Sequence, residues 1–251
     1  MQLPVLVQMS VSPWSEKARW ALDHHRIAYR TETHTPLADE PKLRLRLRRL
    51  RGVASVPVLI VGRQAIEGSL AIAAWADAHG QGAPLCALAE VEAWNARSDR
   101  ILSLGRARVV RSMLASRPAL IEAVPSFVPA SLRSALMPVA ALGTWFVQQK
   151  YRVDVPPTAL DDEIARELEL ARATLADGAR YVLGEFSFAD IALAAALQVV
   201  APVVSPAYPL GAATREAWTS APLCERFSSL VAWRDALYER VRIPETKAER
   251  A

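Results

Sequence analysis

A serine hydroxyl at the positive end of a helix is the first chemistry the chain offers. The residues are Ser12-Pro13-Trp14-Ser15-Glu16, continuing through Lys17, Arg19 and Trp20 to Asp23. Ser12 is of N-cap type, Pro13 fits the first helical position, and Glu16 adds negative charge to the first turn. Such a hydroxyl, backed by the helix end, suits a bound thiolate. A hydrogen bond to a charged group contributes about 1.5–3 kcal/mol, enough to lower a thiol pKa by about one to two units from roughly 8.5. That supplies thiolate near neutrality and breaks no bond by itself. A plain helix cap is the alternative that the local sequence also allows.

Two further stretches could hold a ligand. Ser69 opens Ser69-Leu70-Ala71-Ile72, where a serine and free backbone N–H groups at a helix start suit a carboxylate. Glu67, two residues earlier, could pair with an ammonium group. In Ser55-Val56-Pro57-Val58, a cis bond before Pro57 would turn the main chain of Val56 outward as a free strand edge. Each has a plainer reading, an ordinary cap or an ordinary trans proline.

The elements that must position these residues follow from periodicity. Residues 3–9 read as a strand, 14–25 as a helix and 27–33 as a second strand. Residues 39–50 alternate ambiguously, but their Leu and Arg content favours helix. Residues 56–61 and 64–66 flank Gly62-Arg63 as a hairpin, and Ser69 caps a helix running to residue 79. The order β-α-β-α-β-β-α is thioredoxin-like. Gly80-Gln81-Gly82-Ala83-Pro84 reads as a linker, which divides the chain into domains 1–80 and 81–251. The second domain reads as all-helical, with helices at 88–114, 131–150, 160–175, 188–200 and 226–241. Pro118, Pro125 and Pro129 predict a long irregular connection over 111–129.

Composition narrows the function classes. At 251 residues with 52% hydrophobic and 22% charged, the chain can bury a substantial core. The net charge of +4 comes from one run: Lys42, Arg44, Arg46, Arg48, Arg49 and Arg51, with no interleaved aromatics. The remainder holds 24 basic and 26 acidic residues, so no nucleic-acid-coating surface is indicated. Two distant cysteines, Cys86 and Cys224, point away from disulfides and structural zinc and toward a reducing cytoplasm. His24 and His25 sit at a helix end, where a cation is favourable, and His34 and His79 lack ligand-spaced partners, so no metal is expected. The N-terminus does not read as a secretory signal. The longest apolar run, 188–204, contains Asp190, Gln198 and Pro202 and reads as a buried core helix, so no membrane span is expected.

One further motif is Gly184-Glu185-Phe186-Ser187-Phe188-Ala189-Asp190-Ile191. Ser187 and Asp190 have capping-box spacing, and Phe186 with Ile191 that of a hydrophobic staple. Together with the stretches at Ser12, Val56-Pro57 and Ser69, it resembles the glutathione transferase family over nearly the whole chain. The resemblance implies an α+β two-domain fold: a thioredoxin-like βαβαββα domain followed by an all-helical bundle. It implies glutathione as co-substrate, a small apolar electrophile as partner, and a homodimer formed across the helix after Ser69 and the first helix of the second domain. Ser12 falls where zeta-like members carry a catalytic serine and omega-like members a cysteine. Val56 and Pro57 would hold the cysteinyl part, and Ser69 the γ-glutamyl carboxylate. Ser15 would be a second contact to sulfur, Lys42 or Arg51 would meet the glycine carboxylate, and Trp94, Arg97 and Ile101 would border the electrophile. The family usually has Asp, Glu or Gln directly before the motif serine; here Gly68 stands there, with Glu67 one place earlier. A non-catalytic binding or partner-docking member of the fold is the alternative.

Overall fold

Leu6 and Val7 set the layering of the first half, because successive strand residues point to opposite faces. Leu6 packs with Ala18, Leu22, Leu59, Ile66 and Ile72 on one side, and Val7 with Leu43, Ala54 and Val58 on the other. The computed structural model describes residues 2–49, 51–125, 128–206, 208 and 210–242. Its first elements are β1 (Val5–Gln8), α1 (Pro13–His24), β2 (Arg30–Thr33), α2 (Glu40–Arg46), β3 (Val58–Val61), β4 (Gln64–Glu67) and α3 (Ser69–His79). The sheet order is β2-β1-β3-β4, with β1 and β2 parallel and the other pairs antiparallel. This is a thioredoxin-like domain in the predicted order. The ambiguous stretch 39–50 is helical over its centre.

The helical region follows as α4 (Val91–Ala115), α5 (Arg117–Glu122), α6 (Ala130–Lys150), α7 (Leu160–Thr174), α8 (Phe188–Ala196), α9 (Ala212–Trp218), α10 (Ala221–Arg226) and α11 (Ser228–Val241). α8 is the centre of it: all nine residues are buried. A Cβ at Gly105 of α4 would collide with Val199, so this glycine permits close approach of α4 to the turn after α8. Trp20, Ala21 and Ala73 of the thioredoxin-like part share one core with Phe188, Ile191, Tyr208, Leu237 and Tyr238. The two halves are therefore packed through apolar surface, with each fully buried large side chain worth about 1.5–3 kcal/mol.

The structure corrects one expectation about this half. The connection 111–129 is mostly helical: α4 continues to Ala115, and Ser116 caps α5 with Pro118 in its first turn, where a missing N–H does no harm. Ser126 and Phe127 of that stretch lie outside the described residues. The 188–204 run forms the buried core helix expected of it, while among the described residues α6 is long and apolar enough to cross a membrane by length and composition. α6 packs on α4 and α5 with none of its residues fully buried.

Candidate functional site

The sheet register brings the separated sequence signals to one edge. Val7 pairs with Val58, and Val58 with Glu67. The chain leaves β1 towards Ser12, enters β3 from Pro57, and leaves β4 towards Ser69, all at the same end of the sheet. The Gly68 N–H donates to the Pro57 carbonyl at 3.1 Å, tying the second and third segments together.

Ser12 caps α1 as expected, with extended backbone and its Oγ accepting from the Ser15 N–H at 3.5 Å. That distance is at the limit of a hydrogen bond, so most of the hydroxyl's capacity remains unspent. The loop carrying Ser12 is pinned from several sides. The Ser12 N–H donates to the Met9 carbonyl at 3.0 Å, the Met9 N–H to Ser15 Oγ at 3.2 Å, Arg19 to the Ser10 carbonyl at 3.1 Å, and Tyr208 Oη to the Val11 carbonyl at 2.6 Å. Beneath it lies a buried ionic cluster. Glu16 pairs with Arg19 at 2.5 Å and with Arg242 at 2.8 Å, and Asp23 with Arg242 at 2.7 Å. Glu16 thus does more than complement the helix end. Its charge is neutralised by two arginines, leaving the positive helix terminus free to act on what lies above Ser12.

Ser15 is corrected. It is 0% exposed and its hydroxyl is occupied by Met9, so it braces the loop and has no surface for a sulfur atom. Ser69 is also placed differently from expectation. Gly68, at φ +88°, is the residue preceding the helix, and Ser69 is its first residue. Among the described residues no hydrogen bond engages the Ser69 hydroxyl. The Val56-Pro57 bond is cis, and no hydrogen bond among the described residues engages the main chain of Val56. Glu67 is already engaged: its carboxylate accepts from Arg49 at 2.9 Å. Lys42 pairs with Glu32 at 2.7 Å, while Arg51 is exposed.

The face of α4 turned to Ser12 is not the one expected. Trp94 and Ile101 are core residues packed toward α7 and α8, and Arg97 pairs with Glu167. Helical spacing identified a stripe but could not say which neighbour it meets. The residues facing α1 are Asn95, Asp99 and Arg106. Asp99 accepts from Trp14 Nε1 at 2.8 Å and from the fully buried Lys17 at 2.7 Å. Burial pulls the Lys17 ammonium down, and Asp99 pulls it back up. The Arg106 guanidinium lies 4.7 Å from the Trp14 ring centre and 4.0 Å from that of Tyr151. Lys150, at the end of α6, reaches Glu40 at 2.6 Å and the Ala54 carbonyl at 2.5 Å. No sequence signal pointed to Arg106, Lys150 or Tyr208, since their partners lie far along the chain.

The remaining titratable groups have structural roles. His25 bonds Asp77 at 2.7 Å and His24 the Ala83 carbonyl at 3.0 Å. Burial, with Asp77 beside it, pushes the Cys86 thiol up to about 12, which keeps it protonated and unreactive. Among the described residues no group of three or more His, Cys, Asp or Glu is arranged to hold a metal ion.

Residues 11–79 match the sequence family described as the glutathione S-transferase N-terminal domain. The match spans the thioredoxin-like part of the chain. Solved structures cover the rest. A glutathione S-transferase from Methylobacterium radiotolerans, in complex with glutathione sulfonate, superposes over 100% of both chains with TM-score 0.58 and 16% identity. A glutathione transferase from Phanerochaete chrysosporium gives TM-score 0.58 at 18% identity over 98% of this chain and 100% of that one. Glutaredoxin 2 from Salmonella typhimurium, in complex with glutathione, gives 0.56 at 16% identity over 97% of both. At such identities the likeness establishes the fold. No curated protein sequence matches the chain.

Proposed function

We propose that the protein is a glutathione-dependent transferase in which Ser12 donates a hydrogen bond to the glutathione thiolate. The observation carrying this reading is that an underused serine hydroxyl, the open main chain of Val56 and the start of α3 all stand at the same end of the sheet. On this reading residues 1–80 bind glutathione. The main chain of Val56, beside Pro57, pairs with the cysteinyl unit, and Ser69 with the adjoining N–H groups of α3 receives the γ-glutamyl carboxylate. Glu67, across Gly68, meets the ammonium group after exchanging its bond to Arg49. Residues 81–251 supply the wall against which an apolar electrophile packs.

The reaction is a two-electron attack. The thiolate lone pair forms an S–C bond, and the displaced pair leaves with the leaving group or moves into the acceptor's conjugated system. Ser12 keeps its proton throughout, so the hydroxyl only stabilises charge while proximity supplies the rest. The proposal extends to a cytoplasmic homodimer that needs no metal.

Calorimetric titration with glutathione, together with conjugation of a generic aryl halide by wild type and Ser12→Ala, tests this. Binding with turnover that drops in the variant is the expected result. Binding without turnover in the wild type would instead favour a non-catalytic docking protein, the reading for which the Arg49–Glu67 pair speaks, and turnover unchanged in Ser12→Ala would remove the role given to Ser12. Absence of glutathione binding in the wild type removes both.

A further inference from the structure

The guanidinium of Arg106 is the feature the thiolate chemistry leaves unused. Its Nε is buried without a hydrogen bond, and no ion pair or hydrogen bond engages the group among the described residues. The other partly buried arginines of α4 are provided for. Arg97 pairs with Glu167, and Arg108 with the Val199 and Trp218 carbonyls and Asp161. Asp99, the nearby acid, is committed to Lys17 and Trp14. A cation largely withdrawn from water without a counterion is unfavourable, and burial accordingly lowers the Arg106 pKa to about 10.

The surroundings define what could complete it. Trp14 and Tyr151 meet the guanidinium with their rings, whose centres lie 4.7 and 4.0 Å from its carbon, and not with a carboxylate at its edge. That edge presents parallel N–H donors matched to the two oxygens of a carboxylate. Both rings adjoin segments that carry the proposed thiol site. Trp14 lies in the first turn of α1, two residues beyond Ser12. Tyr151 follows Lys150, which is bonded to the Ala54 carbonyl beside Val56. An anion at this edge would therefore sit on the second substrate, not on the glutathione backbone, whose carboxylates the reading above assigns elsewhere.

We infer that Arg106, beside Trp14 and Tyr151, binds a carboxylate on the electrophile and so selects substrates that combine an apolar body with an anionic group. The inference rests on the glutathione reading and narrows its second substrate. The test compares two product-like ligands of similar size, S-propylglutathione and S-(propanoic acid)-glutathione, titrated into the wild type and Arg106→Gln. The wild type prefers the anionic conjugate by about tenfold or more, as expected for a charge-assisted pair. In Arg106→Gln the ratio of the two affinities falls to about one. The ratio is taken within each protein, so a general loss of stability does not imitate the effect. Should Arg106→Gln fail to fold, Arg106→Lys serves: a point charge without the fork retains only a few-fold preference. Equal affinities in the wild type, or a preference in Arg106→Gln or Arg106→Lys as large as that of the wild type, overturns the inference while leaving the transferase reading intact. Failure of the wild type to bind either conjugate overturns both.

Discussion

Ser12 and Ser187 occupy the same position in two helices, yet the molecule treats them differently. Each is an N-cap with extended backbone, and each is followed by two apolar residues. The divergence lies at the third helical residue. Behind Ser187 stands Asp190, whose carboxylate accepts from the Ser187 N–H at 2.9 Å and the Val182 N–H at 2.8 Å. This cap is closed, and Ser187 is only 2% exposed. Behind Ser12 stands Ser15, whose hydroxyl turns away to Met9 and leaves the cap with one long bond. A single side chain thus separates a cap that stabilises the fold from one whose donor capacity is left for a visitor.

Removing the closed cap gives the largest effect. Asp190→Ala strands two buried N–H groups at about 1–3 kcal/mol each. Thermal denaturation should show a loss of about 3 kcal/mol, or roughly 6–12 °C in a chain of this size. A melting point within 2 °C of the wild type would mean that the two caps do not differ in kind.

The same carboxyl should give the fold a pH signature of similar size. Burial raises Asp190 from 3.8 to about 6, against the hydrogen bonds it accepts. A carboxyl raised on folding holds its proton more tightly in the native state. Its contribution is therefore full below its unfolded value and is lost as pH rises through about 6. The corresponding change is about 3 kcal/mol. Denaturant titrations from pH 4 to 7 should show that decline, and Asp190→Asn should flatten it. A decline unchanged in Asp190→Asn assigns it to another group.

Opening the comparison from the other side gives a smaller change in stability and a distinct one in chemistry. Ser12→Ala should lower stability by under about 1 kcal/mol, since its bond is long. It should lower kcat/KM by about 10–100-fold, the worth of a hydrogen bond to a charged sulfur. A large fall in melting temperature with unchanged turnover would make Ser12 a structural cap like Ser187. The smallest effect is expected at the rim. Arg49→Gln should release Glu67 and tighten glutathione binding about two- to fourfold, in line with the modest strength of exposed ion pairs. Weaker binding in this variant would show that Arg49 itself meets the ligand.

What was legible in the sequence was what is local. The capping box, the hairpin about Gly62-Arg63 and the strand-helix order are written within a few residues of one another, and the structure follows them. The gathering of Ser12, Pro57 and Ser69 at one edge was legible only through resemblance, because sheet register depends on strands far apart in the chain. Side-chain assignments failed where the neighbour was distant. Ser15 reads like a site residue until Met9 is seen to occupy it. Trp94 and Ile101 show a clear stripe, but only packing reveals that it faces α7 and α8. Pro118 reads as a breaker, although proline in a first turn begins a helix as readily as it ends one.

The Arg242 guanidinium also bears on how the chain is made. Glu16 and Asp23 are enclosed within α1, and the arginine that balances them arrives 226 and 219 residues later. Stripping such a partner from a buried acid costs about 3–5 kcal/mol. The opening helix therefore leaves the ribosome electrically incomplete, and its final docking waits until translation has passed residue 242. Any truncation or stalled synthesis short of that point leaves the thioredoxin-like domain with buried negative charge and the serine loop without its foundation.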